Sequence, residues 1–161
     1  MHAAGFDSIP FDIGVYALQK AAVERLGGPA TTVRTITTRL KGGFSGGTVA
    51  SMALLFDGIK RDRSILRLMG NPYALDPGFR GPDKNDSRAV KFWPTHRAWT
   101  APFIMAGCNT RVVRRSHALL GRPWGEDFSY AEAMGTGRGL SGWFRGQLMR
   151  LGLGAFVAIM A

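Results

Sequence analysis

Asn109, Arg111, Arg114 and Arg115 fall within two helical turns of one amphipathic segment. A buried amide must find hydrogen-bond partners, and guanidinium groups three and four residues apart gather on one face. Asn109 therefore reads either as a bond to a neighbouring loop or as a ligand contact. The arginines read either as a solvated face paired with local carboxylates or as a patch for a phosphate or an acidic partner. A second group, Ser45-Gly46-Gly47-Thr48, closes a glycine-rich run that starts at Gly42. Backbone amides ahead of a helix can cradle an anion, but a plain strand-to-helix turn uses glycine in the same way. The spacing does not fit the Gly-x-Gly-x-x-Gly dinucleotide fingerprint. His2, His96, His117 and Cys108 offer no metal-ligand spacing, and Cys108 and His117 lie on nearly opposite faces of one helix, which excludes a nucleophile-base pair. Cys108 reads as core.

These residues need elements to hold them. A strand from Met1 to Phe6 is expected to turn at Asp7 and Ser8 into a helix from Pro10 to Leu26, with Pro10 and Asp12 in its first turn and Gly27-Gly28 as its stop. Its narrow polar face predicts burial on most sides. Thr31 to Lys41 reads as a strand, followed by the glycine run and a helix from Val49 to about Ile59 capped by Thr48. From Arg61 to Thr100, prolines and a polar tract predict an irregular surface excursion of the kind that forms lids. A helix from Pro102 to Leu120 follows, with Met105, Cys108, Val112 and Leu119 on one apolar stripe, and then a short strand from Phe128 to Met134. The expected class is α+β.

Composition narrows the partners. A chain of 161 residues can enclose one core, and 45% apolar with 20% charged residues is globular. One cysteine and no secretory leader predict a reducing, cytoplasmic setting, with the inner face of the plasma membrane as a second location. The charge of +10 attracts nucleic acid, anionic lipid or an acidic protein, but no base-stacking pattern accompanies it, so nucleic acid is disfavoured. Leu151 to Ala161 is apolar but shorter than the roughly 20 residues a spanning helix needs. Arg138, Arg145 and Arg150 around Trp143 and Phe144 leave an anionic membrane surface as one alternative, and a non-catalytic binding module as another. The sequence does not fix the oligomeric state, and a homo-oligomer remains open.

Four segments in order, Gly5-Phe6-Asp7-Ser8-Ile9-Pro10, Ser45-Gly46-Gly47-Thr48, Asn109 to Ser116 and Phe128-Ser129-Tyr130, resemble the saccharopine dehydrogenase-like oxidoreductases, and within them the trans-acting enoyl reductases. Ala4, Phe11 and His117 depart from the family pattern beside these motifs rather than inside them. The resemblance implies the second, substrate-side domain of a two-domain enzyme, with residues 1–9 ending the nucleotide-binding domain and residues 10–161 forming part of an α+β domain. It implies NADP or NAD in the full-length enzyme and none held by this chain. It further implies an enoyl substrate in a lipid or polyketide precursor, carried by an acidic acyl carrier protein. Gly5, Phe6, Asp7, Ser8 and Pro10 would then lie nearest cofactor and substrate. Ser45, Gly46, Gly47, Thr48, Asn109 and Arg111 would contact substrate or an anion, and Arg111, Arg114 and Arg115 would dock the carrier. The catalytic proton donor is left unassigned.

Overall fold

The computed structural model describes residues 8–39, 46–84 and 86–160. Gly5, Phe6, Asp7 and Ser45 therefore lie outside the described residues, as does the strand expected at the start. Helix α1 (Ile9–Leu26) has Pro10 in its first turn and ends where Gly27 turns left-handed (φ 79°) and returns its N–H to the Val23 carbonyl. Strand β1 (Thr32–Thr37), helix α2 (Gly46–Arg61) and helix α3 (Ser64–Gly70) follow. Strand β2 (Lys91–Trp93), a single 3-10 turn and strand β3 (Ala98–Ala101) lead to helix α4 (Ala106–Leu119), strand β4 (Ser129–Gly137) and helix α5 (Gly139–Met160). The class is α+β, with a four-stranded sheet in the order β1-β4-β3-β2. β2 and β3 pair antiparallel from Lys91 opposite Thr100, and β3 and β4 pair antiparallel with a register shift between Trp99 and Thr100.

The chain forms two compact units. The first comprises Met1–Thr35, Pro72–Asp86 and Phe103–Ala133, with a core of Val15, Val33, Val113, Trp124, Phe128 and Tyr130. Within it α1 buries only Val15, Gln19 and Ala22, while Ile13, Tyr16, Leu18 and Val23 are exposed, so the expected burial on most sides does not hold. The reason is Gln19: its amide donates to the Ala30 carbonyl and accepts the Ala30 N–H, both at 2.8 Å. With its polar atoms satisfied, the residue that looked solvent-facing marks the buried side.

The excursion expected from Arg61 to Thr100 is more ordered than its prolines suggested. It contains α3, β2 and β3, and its stretch Pro72–Asp86 is fastened to the first unit rather than standing free as a lid. Arg114 Nε meets Asp83 Oδ2 at 2.6 Å, Arg111 meets Asp86 at 3.0 Å and Arg122 meets Asp76 at 2.8 Å.

The second unit comprises Ile36–Asn71, Ser87–Pro102 and Met134–Ala161. Its longest element is α5, which packs along β3. Gly142 and Gly146, one turn apart, are buried on the side facing the strands. A Cβ on Gly146 would lie 2.8 Å from Val90 Cγ1, and one on Gly142 would collide with the Gly137 carbonyl. The helix rests this close because those positions have no side chain. Thr48 is the third residue of α2, which starts at Gly46 rather than at the expected Val49. Among the described residues no helix is both long and apolar enough to cross a membrane.

Candidate functional site

The first unit holds a chain of polar side chains that is almost wholly out of water. Ser8, the residue before α1, is 1% exposed, and its hydroxyl donates to Asn109 Oδ1 of α4 at 3.0 Å. The Asn109 amide donates in turn to Glu132 Oε2 of β4 at 3.0 Å, and the Tyr130 phenol donates to the other oxygen, Oε1, at 2.8 Å. Tyr130 and Glu132 are two apart on one strand and so share a face. Thr35 Oγ1 lies 3.2 Å from the phenol oxygen. A phenol has one proton, already given to Glu132, so the threonine hydroxyl is the donor in this last contact when the carboxylate is charged.

Burial sets the electrostatics. Glu132 is pushed up to about 7, mainly by desolvation, and the bonds from Tyr130 and Asn109 only partly offset this. Burial, with the neighbouring Glu132 charge, also drives the Tyr130 phenol well above its ordinary range. A carboxyl that titrates near neutrality inside a hydrogen-bonded network is uncommon and is a recognised mark of functional sites. The network is nevertheless not a proton wire, because a proton would have to cross the Asn109 amide, which exchanges protons poorly. It orients instead. Glu132 fixes Asn109, and Asn109 fixes the hydroxyl proton of Ser8, leaving the serine lone pairs directed elsewhere. The outer end of the network is Cys108, whose sulfur lies 3.7 Å from Ser8 Oγ and which is exposed rather than core.

The stripe expected to face inward on α4 was the wrong one. Leu119 and Cys108 are exposed, whereas the buried face carries Asn109, Thr110, Arg111, Val113, Arg114 and His117. Arg111 and Arg114 are thus no part of a solvated basic face, and only Arg115 is exposed. Arg114 is 4% exposed and fully engaged, donating to Asp83, to the Pro72 carbonyl and to the Tyr130 carbonyl, with Tyr73 under its plane. Asp83 also accepts from the Ser129 hydroxyl at 2.6 Å. The two groups lock the backbone of β4 where it presents Tyr130 and Glu132. His117 stacks on Trp124 and donates through Nε2 to the Gly125 carbonyl, and burial lowers its pKa. Asp12 on α1 accepts from Ser116 on α4 at 2.7 Å, a second tie between the helices that bring Ser8 to Asn109.

Of the residues singled out by sequence, Ser8 and Asn109 are brought together, Arg114 holds the Tyr130 carbonyl, and Arg111 pairs with Asp86. Pro10 is exposed at the start of α1, and Gly46, Gly47 and Thr48 begin α2 in the second unit. Thr35, Tyr130 and Glu132 complete the network. The only sequence signal for Glu132 was an acidic residue in phase with Tyr130 on a strand otherwise built of small and apolar residues. Among the described residues no His, Cys, Asp and Glu cluster can hold a metal.

No family model and no solved structure matches the chain. It is similar to a Mycobacterium tuberculosis protein carrying the provisional name trans-acting enoyl reductase, at 43% identity over 146 residues, or 85% of this chain and 35% of that protein. It is 35% identical to a trans-acting enoyl reductase of Mycobacterium ulcerans and 33% identical to one of Mycobacterium leprae, each match covering 84% of this chain and 35% of the relative. The chain thus spans about a third of the length of these relatives.

Proposed function

We propose that this chain is the substrate-side part of a trans-acting enoyl reductase of the saccharopine dehydrogenase-like kind, which adds two hydrogens across an enoyl double bond in a lipid or polyketide precursor. The observation that carries the reading is the joining of two distant motif segments. Ser8 and Asn109, a hundred residues apart in the chain, meet at 3.0 Å inside a region that aligns with named reductases over most of its length. The glycine run of this chain departs from the dinucleotide fingerprint, and NADP or NAD, which supplies the hydride, is assigned to the part of the longer protein outside this match.

What this chain contributes is position. Ser8 at the head of α1 is held by Asn109 and Glu132, which fixes where the helix start and its amides point. Glu132 is a positioning residue, since it reaches the surface only through other groups. The acyl chain arrives on an acidic carrier protein drawn by the positive charge, and Arg115 remains the exposed member of the arginine trio available to it.

A chimera tests this directly. Replacing the matching third of the Mycobacterium tuberculosis relative by this chain should preserve NADPH-dependent enoyl reduction, and a folded, NADPH-binding chimera without that activity would refute the assignment. The isolated chain should unfold cooperatively at the same temperature with and without NADPH, because a ligand that bound the folded form would raise the midpoint.

A further inference from the structure

Helix α5 is built the reverse of a helix that covers a water-soluble domain. Its sheet-facing side carries Gly142 and Gly146, while Leu140, Phe144, Leu148 and Leu151 form one stripe on the opposite side, 79, 63, 73 and 61% exposed. The stripe runs for about 16 Å of helix. Arg145 and Arg150 flank it on either side, Arg138 precedes it, and α5 contains no acidic residue. The charge of the chain is segregated in the same sense. Of the 21 Lys and Arg, 12 lie in the second unit against 2 of the 11 Asp and Glu, so this unit carries all of the +10. The first unit has nine of each sign and is neutral.

We propose that the second unit rests on an anionic lipid surface, with α5 lying in the interface, its leucine and phenylalanine stripe among the acyl chains and Arg138, Arg145 and Arg150 at the headgroups. The three arginines have apolar stems that follow the helix into the interface while their heads stay at the phosphates. An acidic protein would match the charge but leave the apolar stripe without a counterpart. A second copy would match the stripe but bring one strongly positive unit against another. The placement adds to the reaction assigned above and requires that the parts of the longer protein outside the match leave the α5 stripe uncovered.

Co-sedimentation of the full chain with vesicles tests it. The chain should pellet with phosphatidylcholine vesicles containing phosphatidylglycerol, much less with phosphatidylcholine alone, and less as salt rises. Phe144→Glu with Leu148→Glu should lower partitioning at least about tenfold, and replacing Arg138, Arg145 and Arg150 by Gln should lower it about 100-fold. These positions are exposed, and circular dichroism with the milder Leu148→Ser variant separates lost binding from lost folding. Equal recovery in the supernatant with and without vesicles would overturn the proposal. So would unchanged partitioning of the Phe144/Leu148 variant, which would reduce the attraction to charge alone. A dimer that the same variant makes monomeric would name a second copy as the occupant, and stripe-dependent capture of acyl carrier protein without vesicle binding would name that protein.

Discussion

Glu132 gives the buried network a pH signature whose sign is fixed. Its folded value of about 7 lies above the ordinary 4.5, so between those limits the folded chain holds a proton that the unfolded chain has released. Stability from this group is complete below the lower limit and is lost as pH rises through the upper one, by about 3 kcal/mol in all. His117 acts in the opposite direction. Burial lowers its pKa below 6.5, and its contribution is lost as pH falls through that depressed value. Urea melts across pH 5 to 8 should therefore show stability falling toward the alkaline side, and Glu132→Gln should remove that alkaline limb while leaving the acid-side loss. A second contrast lies on α4. Arg114→Met leaves Asp83 buried without its partner and should cost about 3–5 kcal/mol, whereas Arg115→Met should stay within about 0.5 kcal/mol of wild type. Equal effects of the two would mean that Arg114 is not the anchor of Asp83.

The elements were legible where punctuation marks them and obscure where burial is polar. Pro10 and Gly27 bracket α1, and Gly121 closes the turn after α4, because proline and glycine act through the backbone and need no tertiary context. The facing of those helices was not legible. Gln19 on α1 and Asn109, Arg111 and Arg114 on α4 point inward because each finds partners outside its own helix, which no helical period records. β2 and β3 escaped notice for a related reason: three- and four-residue strands gain their identity from pairing with each other. α5 was hidden by its glycines, which lower helix propensity but permit close packing here. Gly142→Ala should therefore destabilise the second unit by about 1–3 kcal/mol despite the better propensity of alanine, as thermal melts can show. A gain in stability would mean that α5 stands further from Gly137 than described.

For the whole molecule, the division of labour follows the division of charge. The neutral first unit buries the Ser8, Asn109, Glu132 and Tyr130 network, and the basic second unit joins its positive charge to the apolar stripe of α5. Sequence analysis reached the overall class but not the contact between Ser8 and Asn109, and it offered the arginines of α4 for docking, although two of the three are consumed internally. Summed charge says nothing about which cations are already paired. Cys108 has a practical consequence of its own. As the sole thiol of the chain, exposed and 3.7 Å from the Ser8 hydroxyl, it is a ready-made attachment point for a fluorescent maleimide. A dye there would report, without any engineered residue, on whatever molecule approaches the head of α1.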